Sequence, residues 1–242
     1  MILLLDVGNT RVKWAWLEYL EIAPSGAVAH DTTHRRWQGE IEADGHQPSR
    51  IVVANVAGPA FAAALTLWSR DHYAVEPEFI VARDRLLGVT SGYRRPAALG
   101  VDRWLALIAA WRSAPRATLV VNSGTALTVD ALDDGGRHRG GLIVPGVQML
   151  AEGRAPWAEG AELKAHRALD GLPPDPVPLT LAALADRGYG ELAALTGTAP
   201  RLLLTGGDAE LLAPHLSQAA EIVPELVLTG LAIVATRGES GD

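Results

Sequence analysis

The feature that most constrains this chain is a short turn pattern that occurs twice, 116 residues apart. Residues 5–10 read Leu-Asp-Val-Gly-Asn-Thr, and residues 121–126 read Val-Asn-Ser-Gly-Thr-Ala. Both follow a buried-strand pattern, and both place Asp or Asn, any residue, Gly and a polar residue before a second strand. The separation is almost half of the 242 residues. We therefore expect two lobes that each open with a similar β-hairpin.

The order of the predicted elements indicates an α/β fold. Strand patterns alternate with helical ones, such as the helix from Pro59 to Trp68 and the strongly apolar helix that begins at Gly100. The two hairpins mean that the sheets are mixed rather than purely parallel. A helix is also expected from Val147 to about residue 169, and a proline-rich break over residues 171–178. The loop-like stretch 88–98 is the expected boundary, giving lobes 1–92 and 93–242.

Composition and charge exclude several classes of protein. The formal net charge of −7 and the isoelectric point of about 5.5 argue against a nucleic-acid-binding protein. The chain contains no cysteine, which excludes disulfides, thiolate metal sites and cysteine nucleophiles and fits a reducing cytosol. The N-terminus lacks the basic region of a signal peptide, and no apolar stretch reaches the ~18 residues of a membrane span. We therefore expect a cytoplasmic protein that binds neither nucleic acid nor membrane.

Each of the two turns has the chemistry of a phosphate-binding loop. Glycine lets the backbone approach a phosphate closely and adopt positive φ, so that successive N–H groups can face the anion. Thr10 and Thr125 can donate a hydroxyl hydrogen, whereas Asp6 would act through Mg²⁺ or water. The alternative is that both are ordinary tight turns. The candidate phosphate-binding residues are Asp6, Val7, Gly8, Asn9, Thr10, Arg11, Val12 and Lys13 in the first loop, and Gly124 and Thr125 in the second.

A third loop follows a strand near the C-terminal end. Residues 203–208 read Leu-Leu-Thr-Gly-Gly-Asp, a strand that runs into a glycine pair before a helix. Such bare backbone suits close contact with a ligand such as an adenosine, although glycine pairs are also common in plain turns. We take Gly206 and Gly207 as candidate ATP-binding residues.

A carboxylate stands at the start of the strongest helix. Asp is a favoured N-cap residue, so Asp102 has a structural explanation in the free N–H groups of the first turn. It could equally accept the proton of a hydroxyl that attacks a γ-phosphate. Arg103 beside it suits a carboxylate on the substrate. The two explanations are compatible, because a helix N-terminus also attracts anions.

Together these motifs resemble the type III pantothenate kinases, in order and spacing over nearly the whole chain. The matching segments are Asp6 to Thr10, Tyr93, Gly100 to Arg103, Gly124 to Ala126, and Gly206-Gly207. The resemblance implies two ribonuclease-H-like lobes of the actin-like ATPase class with a nucleotide cleft between them. It implies a homodimer that uses ATP and Mg²⁺, with K⁺ or NH₄⁺, to convert pantothenate to 4′-phosphopantothenate in the first step of coenzyme A biosynthesis.

The same resemblance implies roles for individual residues. Asp102 would be the catalytic base, and Asp6 would hold Mg²⁺ through water. The implied pantothenate contacts are Tyr93, Gly100, Val101, Asp102, Arg103 and Thr180.

The chain departs from the family pattern in its second loop, where Asn122 stands in place of the usual Asp. Asn keeps an oxygen ligand for a monovalent cation but loses the charge, so cation dependence should be weak or absent. Thr180, with Ala183 and Gly188, is only a loose match to the family's substrate-contacting helix. These departures leave two alternatives open. One is a nucleotide-binding regulator without catalysis, and the other is a kinase of the same superfamily for another small hydroxyl substrate.

Overall fold

The computed structural model describes residues 1–30, 35–152 and 176–237. The chain divides into two compact units, one formed by Met1–Ala114 with Glu225–Asp242 and the other by Pro115–Pro224. Both combine a mixed sheet with helices, which confirms the predicted α/β class. No helix within the described ranges has the length and apolar character needed to cross a membrane.

The first unit is built on a five-stranded sheet in the order β3-β2-β1-β4-β5. Its strands are β1 Ile2–Val7, β2 Arg11–Glu18, β3 Glu21–Ala29, β4 Arg50–Asn55 and β5 Pro77–Phe79. The chain runs antiparallel from β1 through β2 to β3, whereas β4 and β5 continue parallel to β1. The predicted first hairpin is therefore confirmed.

Helices pack on this sheet. On one face lie α1 (Arg35–Ala43) and α2 (Pro59–Tyr73), and the aromatic side chains of Trp37, Phe61 and Trp68 join the core there. The unit also contains α3 (Val101–Ser113) and α7 (Leu226–Arg237), which pack on each other and on the sheet. A short hairpin of β6 (Arg85–Leu86) and β7 (Val89–Thr90) and a 3₁₀ turn at Pro96–Ala98 lead into α3.

The close packing of α3 on α7 decides which unit α3 belongs to. A Cβ at Gly230 of α7 would overlap the backbone of Leu105 in α3, so only glycine permits this approach. The prediction put residues 93–114 in the second lobe, whereas in the structure they lie in the first unit, which the chain rejoins at Glu225. The difference arises because α3 packs on a helix that follows it by more than 100 residues.

The second unit repeats the sheet topology of the first. Its strands are β8 Thr118–Ser123, β9 Ala126–Leu132, β10 His138–Pro145, β11 Arg201–Thr205 and β12 Glu221–Ile222, in the order β10-β9-β8-β11-β12. Again the first three strands are antiparallel, and the last two continue parallel to the first. The expectation of two units with similar hairpin openings is thus confirmed.

The helices of the second unit are α4 (Val147–Glu152), α5 (Pro176–Thr196) and α6 (Ala209–Leu212). The predicted helix from Val147 is present as α4, and its continuation beyond Glu152 lies outside the described residues. The proline-rich break was expected to reach residue 178, but α5 already begins at Pro176. Proline is tolerated in the first turn of a helix, where its missing N–H has no intrahelical partner.

Candidate active site

The first predicted phosphate loop is the turn between β1 and β2. Asp6 and Lys13 are direct cross-strand partners at the end of this hairpin. The N–H of Gly8 donates to the carbonyl of Arg11 at 3.0 Å and closes the turn. The exposed side chains of the turn are those of Asn9, Thr10 and Arg11. The loop thus presents polar groups to solvent beside Asp6.

Asp6 lies in a group of four charged side chains, which we call the Asp6 group: Asp6, Lys13, Asp102 and Glu225. The pKa of the Asp6 carboxyl is raised to about 7, first by burial and next by the charge of Asp102. Lys13 lowers it and Glu225 raises it further. The ammonium of Lys13 lies 3.8 Å from a carboxylate oxygen of Glu225. Three acidic side chains and one lysine concentrate negative charge at the first phosphate loop.

This excess of carboxylate fits a hard cation such as Mg²⁺, which prefers oxygen ligands and would offset the charge. Within residues 1–30, 35–152 and 176–237, no group of three or more His, Asp or Glu side chains is arranged to hold a metal ion. Asp6 is the residue of the group that would hold such an ion, through water.

Asp102 lies in the first turn of α3 but is not its N-cap residue. The N-cap position is occupied by Gly100, which has no side chain to cap the helix. One carboxylate oxygen of Asp102 accepts a hydrogen bond from the N–H of Arg103 at 2.8 Å. A Cβ at Gly100 would lie 2.6 Å from this oxygen, so the glycine leaves room for the carboxylate. The carboxylate is partly exposed and lies where the N-terminus of α3 favours negative charge.

Two of the predicted substrate-binding residues meet beside Asp102. The guanidinium of Arg103 donates to the hydroxyl of Tyr93 at 3.2 Å, and its carbon lies 6.0 Å from the centre of that ring. Arg103 is only 4% exposed, although it carries a full charge. Val101 is also buried. The pair of Tyr93 and Arg103 therefore places a fixed cation next to the start of α3.

In the second unit, the loop between β8 and β9 is held by backbone contacts. The N–H of Gly124 donates to Ala126, and that of Gly146 donates to Thr125 at 3.0 Å. A Cβ at Gly146 would overlap the carbonyl oxygen of Gly124. The start of α4 can approach this loop only because residue 146 is glycine. Thr125 is exposed at the turn.

The third loop lies against the second. Gly206 has φ of 97°, and a Cβ there would overlap the carbonyl of Ser123 and lie 2.6 Å from the side-chain oxygen of Asn122. The N–H of Asp208 donates to Ser123 at 3.0 Å. Positive φ was also expected at Gly8 and Gly124, but neither residue adopts it. Of these three loop glycines, Gly206 is the one whose backbone conformation favours glycine, and its backbone also packs directly on that of Ser123.

Two of the remaining site predictions fall on exposed positions, whereas Val7 and Val12 of the first loop have fully buried side chains and cannot contact a phosphate through them. Gly207 is exposed, with open space around it. Thr180 is in the second turn of α5, and its side chain is exposed.

Comparison with known proteins gives the family. A family model described as type III pantothenate kinase matches residues 2–163. The type III pantothenate kinase of Nitrosococcus oceani is 36% identical and covers 97% of this chain and 94% of its own length. The type III pantothenate kinase of Aromatoleum aromaticum is 38% identical and covers 97% of this chain and 98% of its own length. This chain belongs to the type III pantothenate kinase family.

Solved structures agree with this assignment at the level of the fold. A ROK family glucokinase from Streptomyces griseus, solved with glucose and AMPPNP, covers 97% of this pantothenate kinase family member and 98% of its own chain, with a TM-score of 0.51. The sequences are 14% identical, so the likeness shows the fold alone. The likeness confirms the predicted actin-like fold.

Two residues of the site were not predicted as part of it. Glu225 joins the Asp6 group although it follows Asp6 by more than 200 residues, and no local motif marks it. Gly146 supports the second loop, and its position after a proline at the end of a strand predicted only a turn. Both depend on contacts between distant parts of the sequence.

Proposed function

We propose that this chain transfers the γ-phosphoryl group of ATP to the primary hydroxyl of pantothenate. The product is 4′-phosphopantothenate, and the reaction opens coenzyme A biosynthesis. The observation that carries the proposal is that Asp102, at the start of α3, is near enough to Asp6 of the first phosphate loop for its charge to raise the pKa of that carboxyl, in a chain that belongs to this family.

Asp102 is the group that receives the proton. The pantothenate hydroxyl attacks the γ-phosphorus, its proton passes to the Asp102 carboxylate, and the bond to the β-phosphate oxygen breaks to release ADP. The N-terminus of α3 supports a negative charge at this position in the resting enzyme.

Arg103 and Tyr93 orient the acceptor. Pantothenate carries a carboxylate at the end opposite its primary hydroxyl, and a guanidinium suits a carboxylate. Because Arg103 is buried and hydrogen-bonded to Tyr93, its position is fixed before the substrate arrives. Such preorganisation lowers the entropic cost of aligning the hydroxyl.

The glycine-containing loops hold the nucleotide in this proposal. The first loop with Thr10 and Lys13, and the second with Gly124 and Thr125, bind phosphates through N–H, hydroxyl and ammonium groups. Gly206 and Gly207 offer bare backbone to the adenosine. When bound, Mg²⁺ neutralises charge on the phosphates, with Asp6 holding it through water.

The proposal is tested by comparing acceptors. Release of ADP from ATP and Mg²⁺ is measured with pantothenate, with glucose and with acetate. Release that depends on pantothenate supports the proposal. Release only with another acceptor favours a different kinase of the superfamily. ATP binding without release for any acceptor favours the non-catalytic regulator.

A monovalent cation is part of the proposal, with a reduced role. The side-chain oxygen of Asn122 lies at Gly206, where it can still serve as a ligand, but an amide carries no charge. We expect comparable turnover in Na⁺, K⁺ and NH₄⁺, and expect Asn122→Asp to introduce a preference for K⁺ or NH₄⁺. A wild-type enzyme that is active only in K⁺ or NH₄⁺ contradicts this.

We further propose that the protein works as a homodimer in the cytoplasm, where ATP is available. The resemblance to the family supports this, and light scattering on the purified chain measures the assembly. A mass of one chain, 25.6 kDa, would contradict the homodimer.

A further inference from the structure

Glu225 is held in place at the start of α7. Its carbonyl accepts hydrogen bonds from the N–H and the hydroxyl of Thr229, at 2.8 and 2.9 Å. Helix α7 in turn packs on α3, where Gly230 allows direct backbone contact with Leu105, and on β1. The backbone of Glu225 is therefore fixed relative to the elements that carry Asp6 and Asp102.

The carboxylate of Glu225 lies beside the ammonium of Lys13. The Lys13 nitrogen and the nearer Glu225 oxygen are 3.8 Å apart. The Lys13 side chain is 27% exposed and the Glu225 side chain is 37% exposed. This distance is too long for a hydrogen bond. Among the described residues the Lys13 ammonium makes this one ion pair. Its hydrogens thus stay available to an incoming anion, while the charge of Glu225 restricts where the ammonium lies.

We propose that Glu225 is a positioning residue that holds the Lys13 ammonium at the first phosphate loop for nucleotide binding. This rests on the proposed kinase function. A lysine side chain has four rotatable bonds, and fixing it on a phosphate costs rotamer entropy. A carboxylate that confines the ammonium beforehand reduces that cost. Glu225 therefore acts through Lys13 and need not touch the nucleotide.

Two other roles for Glu225 predict different results. As a negative charge near the triphosphate it would repel the nucleotide, and its removal would tighten binding. As a charge at the N-terminus of α7 it would stabilise the helix, and its removal would lower the melting temperature without changing nucleotide affinity. The direction of the change in affinity separates positioning from both.

The test is a double-mutant cycle on nucleotide binding. The dissociation constant of AMPPNP with Mg²⁺ is measured by calorimetry for the wild type, Glu225→Gln, Lys13→Met and the double variant. We expect Glu225→Gln to weaken binding about three- to fivefold, the range of a partly exposed ion pair. In the Lys13→Met background it should cause no further weakening. With pantothenate, Glu225→Gln should raise the KM for ATP and leave kcat unchanged.

Glu78→Gln is the matched control. Glu78 is in the same unit and pairs with Arg50 at 2.7 and 2.9 Å, away from the phosphate loops, so AMPPNP affinity should not change. Unchanged or tighter binding in Glu225→Gln, or equal weakening with and without Lys13, would overturn the proposal. If the wild type binds AMPPNP but does not phosphorylate pantothenate, the proposed function is refuted. The double-mutant cycle on AMPPNP binding still tests whether Glu225 positions Lys13. A wild type that binds no nucleotide overturns both.

Discussion

The ionisation of Asp6 sets the charge of the first phosphate loop. Burial and the charges of Asp102 and Glu225 raise its pKa to about 7, from an ordinary value of 3.8. Between these pH values the folded protein keeps a proton that the unfolded chain releases. The stability gained from this proton is complete below pH 3.8 and is lost as the pH rises to about 7. Above pH 7 the Asp6 carboxylate of the folded apo protein is ionised, which is unfavourable because it is buried near the charges of Asp102 and Glu225.

We therefore expect Asp6→Asn to stabilise the apo protein at alkaline pH. Since the shift is about 3 pKa units, the gain at pH 8 is at most about 4 kcal/mol, or several degrees in melting temperature. The difference from the wild type should shrink towards pH 4. Thermal unfolding followed by circular dichroism over this range measures it. Asp134→Asn, at an exposed turn, is the control and should show no such trend. Parallel curves for Asp6→Asn and the wild type would contradict the account.

At the scale of elements, the turn between β2 and β3 is strained. Tyr19 and Leu20 have φ of 49° and 71°, and their side chains are 91% and 77% exposed. Two consecutive positive φ angles are typical of a type I′ turn, for which Asn-Gly is the favoured sequence. The apolar pair therefore carries backbone strain with little burial to offset it.

Replacing Tyr19-Leu20 by Asn-Gly should relieve that strain. We expect stabilisation of about 1–2 kcal/mol, visible as a rise of a few degrees in melting temperature with nucleotide affinity unchanged. Chemical denaturation gives the free energy, and the substitution Leu67→Ala on exposed α2 surface serves as a control for loss of an apolar side chain. No change, or a loss of stability, would show that this turn is not strained.

The same turn shows why β3 was not predicted. Its sequence lacks the Asn-Gly signal, and β3 contains Pro24 and Gly26, which strands disfavour. Trp14 of β2 packs where a side chain at Gly26 would lie, so tertiary packing favours glycine there. By contrast, the turns after Asp6 and Asn122 have strong local signals, and both hairpins were predicted.

At the scale of the whole molecule, the duplicated turn pattern predicted the duplicated sheet topology. The boundary between the units was harder to predict from the sequence, because the chain leaves the first unit at Ala114 and returns at Glu225. Of the candidate site, the sequence predicted the loops and the start of α3. It could not predict that Glu225 pairs with Lys13 near Asp6, since that ion pair depends on how α7 packs.

In the proposed reaction, Asp102 accepts a proton while ATP phosphorylates pantothenate. The most direct measurement uses ³¹P NMR to follow the phosphorus signals in a mixture of ATP, Mg²⁺ and pantothenate, with wild-type protein and with Asp102→Asn. The affinity of both proteins for AMPPNP is measured alongside. We expect a new phosphomonoester with the wild type. For Asp102→Asn we expect a rate about 10²–10⁴-fold lower and nearly unchanged nucleotide affinity. Full-rate formation of the phosphomonoester by Asp102→Asn, or ATP consumption by the wild type without a phosphomonoester, would contradict it.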